Sequence, residues 1–161
     1  MKMLANQLVG LFQEIAEQSE AIDDTAQLLA QAAAGEGTIY LAAFGEMNAV
    51  LPAALGGEEP LRCAVEWLPE SIVTHADRVW ILAVNREGDE LAGRLNDAHL
   101  PFAMLAARTR EPVEADAFIS LHIDKGLLLQ DDGSRTVVPD AMGALFAYYA
   151  VKTVINEMLK D

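Results

Sequence analysis

The sequence has few of the residues on which several classes of protein depend. Its 161 residues include one cysteine, Cys63, so an internal disulfide and a cysteine-rich zinc site are both excluded. Lysine and arginine together number 11 against 25 aspartates and glutamates, which gives a formal net charge of −14. An acidic chain repels the phosphates of nucleic acids and of anionic membranes, so neither is an expected partner. A local group of backbone N–H donors can still bind a small phosphorylated ligand.

Signals for export and for membrane insertion are also missing. The apolar residues at the start of the chain are interrupted by Asn6 and Gln7, and no small-residue cleavage site follows them. We therefore expect an amphipathic first helix and a cytoplasmic protein. The apolar C-terminal segment carries Lys152, Asn156 and Glu157, which argue against a membrane span and favour a helix packed on the sheet or at a dimer interface.

Motifs for metals and cofactors are missing as well. His75 and His99 stand in predicted loops and lack the spacing of metal ligands. The sequence contains no Walker A lysine loop, no nucleophile elbow and no full dinucleotide fingerprint. We expect neither a bound metal nor a cofactor.

Short apolar runs alternate with helical patterns through the middle of the chain. The predicted strands are residues 38–44, 61–66, 78–84, 101–107 and 117–123. The run 78–84 is apolar on both faces, as expected for a central parallel strand with helices on each side. Cys63 falls inside the second run and is expected to pack in the core. The alternation predicts one α/β domain over residues 1–161, a three-layer αβα sandwich around a doubly wound parallel sheet.

The two ends of the chain have patterns of their own. Apolar residues repeat at helical spacing before the first strand, and Asp23 and Asp24 are helix-start residues if this region divides into two helices. Residues 126–138 place two apolar runs around an Asp-Asp-Gly-Ser turn, which is suited to a β-hairpin. Pro139 suits the first position of a final helix over residues 140–159.

Polar residues follow the first and third predicted strands. Gly45, Glu46 and Asn48 come directly after the first strand, and Glu87 and Asp89 follow the third. In parallel α/β proteins the strand ends and helix N-termini converge on the ligand crevice. Carboxylates there can serve acid–base chemistry, or they can accept hydrogen bonds from sugar hydroxyls or an amine. The alternative is that these acids only stabilise the dipoles of the helices that they begin.

His122 ends the fifth predicted strand and precedes a charged turn. This position lets it reach the rim of the crevice as a general base. A histidine held by backbone contacts at the strand end is the alternative.

The order of these elements resembles the sugar isomerase (SIS) domain, to which bacterial phosphoheptose isomerases belong. A long helical region precedes residues 39–45, the run 76–84 leads into a glycine-containing turn and a helix, and residues 116–123 precede the closing helix. The hairpin residues 131–135, followed by Pro139, Met142, Ala144-Leu145 and Tyr148, are similar to a group of small bacterial SIS-like proteins. The resemblance implies a five-stranded parallel sheet in the order 2-1-3-4-5, a sugar phosphate or related carbohydrate derivative as ligand, and a homodimer.

The first turn of SIS proteins has the form G-x-G-x-S and is only partly kept. The pattern falls on Ala43, Gly45 and Met47, so the second glycine alone matches. Asn48 can replace the serine as a hydrogen-bond donor if the register slips by one residue. The glutamine–glutamate–histidine pattern of phosphoheptose isomerases is not reproduced at residues 139–143.

The second SIS loop, S-x-S-G-x-[ST], falls on residues 85–90. Gly88 is kept, whereas Glu87 and Glu90 take positions of hydroxyl residues. Hydroxyls donate to phosphate, but ionised carboxylates only accept and repel a dianion. Arg86, Arg108 and Arg110 are the cations that can offset this charge. The predicted ligand-binding residues are Gly45, Glu46, Asn48, Asn85, Arg86, Glu87, Gly88 and Arg108.

Three hypotheses follow from these patterns. The first is a SIS-like module that holds a sugar phosphate or related carbohydrate derivative without efficient turnover. The second is an aldose–ketose isomerase of the phosphoheptose type, with Glu46 or Glu87 acting together with His122. The third is a dimeric scaffold without a small ligand, suggested by the apolar first and last helices.

We predict a homodimer, because related SIS domains commonly pair and because both terminal helices are too apolar for open solvent. Light scattering on the purified chain should give twice the mass of one chain. A monodisperse monomer would contradict the prediction.

Overall fold

The structure is a computed structural model that describes residues 1–108 and 114–160. Five strands form its main sheet: β1 (Ile39–Ala43), β2 (Ala64–Glu66), β3 (Arg78–Ala83), β4 (Phe102–Ala106) and β5 (Ala117–Ser120). Their spatial order is β2-β1-β3-β4-β5, and every neighbouring pair is parallel. The expected sheet and its order are confirmed.

Helices account for most of the remaining structure. They are α1 (Lys2–Ala16), α2 (Ser19–Ala34), α3 (Val50–Gly56), α4 (Asp89–Asp97) and α5 (Asp140–Met158). A short 3₁₀ helix, Gly45–Ala49, joins β1 to α3. The expected hairpin is present as two short antiparallel strands, β6 (Leu128–Leu129) and β7 (Arg135–Thr136).

The two faces of the sheet are covered unequally. On β3, Trp80 and Leu82 pack into a larger core that α1, α2, α3 and α5 build on one face. Val79 and Ile81 point to the opposite face, where they pack against α4 in a smaller core. Alternate side chains of a strand face opposite sides, so this division follows directly from the sequence. The expected three layers are present, with one of them thin.

The second helix begins earlier than the aspartates predicted. It starts at Ser19, so Asp23 and Asp24 lie inside it and are exposed. Between α1 and α2, the side-chain amide of Gln18 donates to the Ser120 carbonyl at 2.6 Å. A contact 102 residues away in the chain therefore decides where the two helices divide.

Cys63 is not in the core, contrary to expectation. Strand β2 begins one residue later, and Cys63 is exposed in a turn with a left-handed backbone, φ 64°. The buried residue of this segment is Leu61, whose N–H donates to the Ala54 carbonyl at 2.8 Å. Strand β2 pairs only with β1 and over three residues, so only the second half of the predicted strand, residues 64–66, is strand.

The closing helix is buried on one side and partly apolar on the other. Tyr148 lies fully buried beside Trp80, and burial raises the pKa of its phenol to about 12. Within the described residues, the Tyr148 hydroxyl and Trp80 Nε1 have no hydrogen-bond partner. Met142 and Tyr149 are 46% and 51% exposed.

Pro139 immediately precedes the helix rather than occupying its first position, because its ψ of 40° is not helical.

Within residues 1–108 and 114–160, no helix is both long enough and apolar enough to span a bilayer.

Asp77 connects three segments at the amino ends of β1 and β3. Its carboxylate accepts from the backbone N–H of Thr38 at 2.9 Å and from the N–H and hydroxyl of Thr74 at 2.8 and 3.0 Å. Burial alone raises the pKa of Asp77, but these hydrogen bonds and nearby Arg78 outweigh it, so the pKa lies below its ordinary value. The ionised carboxylate therefore stabilises the fold.

We predict that Asp77→Asn lowers the free energy of unfolding by about 1–2 kcal/mol at neutral pH, because hydrogen bonds to a charged acceptor are lost. A carboxyl whose pKa is lowered by folding contributes its stability above the unfolded pKa of about 3.9 and loses it as pH falls through the folded pKa. The difference between wild type and variant in urea titrations should thus shrink below about pH 4. Exposed Asp23→Asn is the control, and an equal loss in both variants would contradict the role of Asp77.

Candidate functional site

The candidate site lies where β1, β3 and β4 end. Because β1 and β4 flank β3, the turns that follow these strands meet at one edge of the sheet. The Phe44 N–H donates to Leu82 O at 2.9 Å, and the Arg108 N–H donates to Val84 O at 3.1 Å. These two bonds extend the ladder beyond the strands and fix the turns relative to each other.

The turn after β1 depends on Gly45. Its φ of +58° lies in the left-handed region, which a side chain disfavours. Asn48 Nδ2 donates to the Gly45 carbonyl at 2.9 Å, so this amide closes the turn. Met47, at the position of the SIS serine, is fully buried in the larger core and offers the crevice no polar group. Glu46 is exposed at the start of the 3₁₀ helix.

The turn after β3 is organised by the side chain of Glu87. Its Oε1 accepts from the Asn85 N–H at 2.7 Å, and its Oε2 accepts from the Val84 N–H at 3.3 Å. The carboxylate also faces the other turn, since a Cβ added to Gly45 would lie 3.8 Å from Glu87 Oε2. Gly88 is buried, and a Cβ there would collide with the side chain of Ile81. Of the predicted residues, Gly45, Glu87 and Gly88 are thus brought together.

Arg108 joins the end of β4 to the start of α5. Its guanidinium forms a two-point ion pair with Asp140, with N–O distances of 2.8 and 3.0 Å, and it also donates to the Ile123 carbonyl at 2.7 Å. The hydrogen bond that Arg108 donates to Asp140 raises the pKa of Arg108 above its ordinary value. Burial lowers this pKa, and the charges of Asp140, Asp124 and Glu46 raise it. Arg108 therefore has an internal anionic partner.

The sequence analysis did not single out Asp140, which is 2% exposed. The signal available was an acid in the first turn of the helix directly after Pro139. Of the two other candidate cations, Arg86 is exposed beside Glu87, and Arg110 lies outside the described residues.

His122 lies at the carboxyl end of the edge strand β5. It follows β5 with a left-handed φ of 54°, and its N–H donates to Ser120 Oγ at 3.2 Å. Its side chain lines a groove of about 710 Å³ between α1 and residues 122–127. Glu46 and Glu87 are not among the residues that line this groove.

Within residues 1–108 and 114–160, no group of three or more histidine, cysteine, aspartate or glutamate side chains is placed to hold a metal ion.

The sheet order, the covering helices and the two glycine turns give the α/β fold that the resemblance to the SIS domain implied. A candidate phosphosugar isomerase involved in capsule formation from Bacteroides fragilis has a TM-score of 0.59 at 15% identity, over 96% of this chain and 91% of its own. Hypothetical protein MJ1247 of Methanococcus jannaschii, whose structure was used to infer the function of a 3-hexulose-6-phosphate isomerase, has a TM-score of 0.63 at 12% identity, over 99% of this chain and 91% of its own.

The chain belongs to the family described as domain of unknown function DUF2529, whose model matches residues 1–159. It is 30% identical, over 171 aligned residues, to the uncharacterized protein YwjG of Bacillus subtilis (strain 168), with 100% of this chain and 98% of that protein covered.

We predict that Arg108→Ala lowers the free energy of unfolding by about 2–3 kcal/mol, because it leaves the carboxylate of Asp140 buried without its partner. Chemical denaturation at neutral pH measures the change. Lys160→Ala is the matched control: it breaks the 3.0 Å pair with Glu157, whose side chains are 70% and 65% exposed, and should cost under about 0.5 kcal/mol. Similar losses in the two variants would show that burial of the pair is not what matters.

Proposed function

We propose that the crevice between the Gly45 turn and the Glu87–Gly88 turn binds a carbohydrate derivative of the sugar-phosphate class without efficient turnover. Two observations support the ligand class. The crevice lies at the strand ends where doubly wound sheets bind ligands. The structural neighbours are described as candidate or inferred isomerases of sugar phosphates.

The observation that carries the proposal is the position of the Glu87 carboxylate. It accepts hydrogen bonds from the N–H groups of Val84 and Asn85. Backbone donors of this kind bind phosphate in other proteins. A phosphate that enters this turn must either displace the carboxylate or lie beside it. Two like charges about 4 Å apart repel by roughly 4 kcal/mol at an effective dielectric constant near 20. The wild-type turn therefore binds the phosphate of such a ligand only weakly, so most of the affinity must come from contacts with its carbohydrate part.

The same contacts weaken the case for an isomerase of the phosphoheptose type. Moving a proton between neighbouring carbons needs a positioned base. Glu87 is occupied by two backbone donors, and His122 lines a different groove. Glu46 is the remaining candidate, and it is exposed at the start of the 3₁₀ helix.

We predict that Glu87→Ser, which restores a hydroxyl at this SIS position, tightens the binding of sedoheptulose 7-phosphate and of inorganic phosphate by at least tenfold. The serine removes the repelling charge and returns two backbone N–H donors to the ligand. Glu87→Gln removes the charge but keeps a competing amide, so its affinity should lie between wild type and Glu87→Ser. Isothermal titration calorimetry measures all three dissociation constants.

Glu70→Gln is the control, because it removes an exposed acid from a loop and should leave phosphate affinity unchanged. Equal gains in Glu70→Gln would show that net charge, rather than the Glu87 contact, limits binding. Absence of any sugar-phosphate binding in wild type and variants would contradict the proposed ligand class. Isomerisation of sedoheptulose 7-phosphate by the wild type, lost in folded Glu87→Gln, would establish the isomerase alternative instead.

A further inference from the structure

A second cavity adjoins the crevice on the α4 side of the sheet. Its volume is about 220 Å³, and Glu87 forms part of its wall. The cavity is also lined by Phe44 after β1, Trp67 after β2 and three residues of α4, namely Glu90, Leu91 and Arg94. Glu87 therefore stands between this cavity and the Gly45 turn, which places the two spaces side by side.

The size of the cavity suits one ring. An apolar cavity of about 150 Å³ holds benzene, whereas sites for drug-sized ligands begin near 300 Å³. Its walls combine two aromatic rings, a proline and a leucine with two carboxylates and the guanidinium of Arg94. The faces of a sugar ring carry C–H groups and its rim carries hydroxyls, so an apolar wall with acceptors at the edge matches both parts.

Backbone contacts hold these walls in place without a ligand. The Trp67 N–H donates to the Leu41 carbonyl at 2.9 Å, which continues the register of β2 along β1. Phe44 packs close to Gly88, where an added Cβ would lie 3.6 Å from its Cε2. Glu87 is fixed by the N–H groups of Val84 and Asn85. The cavity is preformed, which reduces the entropy lost on binding.

We propose that this cavity is a subsite for the neutral ring of the carbohydrate ligand. The ring's apolar face packs on Trp67 and Phe44, and hydroxyls at its rim donate to the carboxylates of Glu87 and Glu90. This assignment rests on the proposed function and adds the part of the ligand that is recognised. It also gives Glu87 a role in binding the ligand, since the carboxylate that repels phosphate accepts hydrogen bonds from hydroxyls.

Trp67→Leu tests the subsite, because leucine keeps an apolar side chain but removes the flat surface. Three probes separate the parts of the ligand: glucose 6-phosphate, methyl glucoside, which has a ring and no phosphate, and glycerol 3-phosphate, which has no ring. The variant should bind the first two at least tenfold more weakly than wild type and glycerol 3-phosphate equally well. Leu68→Ala, which shortens the exposed neighbour, is the control and should change none of these affinities.

Tryptophan emission gives a second readout. The chain has two tryptophans, and Trp80→Phe removes the buried one together with its unpartnered Nε1, so that Trp67 alone reports. Methyl glucoside should change the Trp67 emission in this background, and glycerol 3-phosphate should not. Ring sugars that bind wild type and Trp67→Leu equally, without a change in Trp67 emission, would overturn the subsite and leave the proposed function standing. If none of the three probes binds wild type, both proposals fail.

Discussion

Strand β3 is buried on both faces, and this double burial decides where polar chemistry can occur in the protein. Residues 79–83 are fully buried, so charged side chains are confined to the two ends of the strand. At its beginning, Asp77 holds the neighbouring segments by their backbone N–H groups. At its end, the chain turns through Glu87 into α4, with the ends of β1 and β4 on either side. The crevice is thus a consequence of how the core is packed.

Two charged groups at this crevice, Glu87 and Arg108, have hydrogen-bond partners within the protein. Glu87 accepts hydrogen bonds from two backbone N–H groups of its own turn, and Arg108 forms an ion pair with the carboxylate of Asp140. In both cases a group expected at an anionic ligand is bound internally. Such a site is ordered before any ligand arrives. It offers a phosphate fewer hydrogen-bond donors than a turn whose hydroxyl and N–H groups are free. The thin layer on the α4 side leaves Phe44 and Trp67 half-buried, which adds an apolar surface beside these charges.

The sequence was sufficient for most of the architecture, because the periods of strands and helices are local properties. The five apolar runs correspond to the five strands, and the alternation along β3 already separates the two cores. Predictions failed where a distant contact competes with a local signal. Gln18, between α1 and α2, donates to the Ser120 carbonyl, and Cys63 lies in the turn before β2, where its carbonyl accepts from the Ile39 N–H.

The same distinction applies to the candidate site. Gly45 and Gly88 could be placed from the sequence, since a glycine after an apolar run marks the turn at a strand end. The contacts of Glu87 and Arg108 could not be predicted from the sequence, because a charged side chain binds whichever partner the fold brings within hydrogen-bond distance. For Glu87 that partner is the backbone of its own turn, and for Arg108 it is Asp140, 32 residues further along the chain. Local pattern therefore determined where the strands and turns lie, and the tertiary structure decided which of their charges face one another.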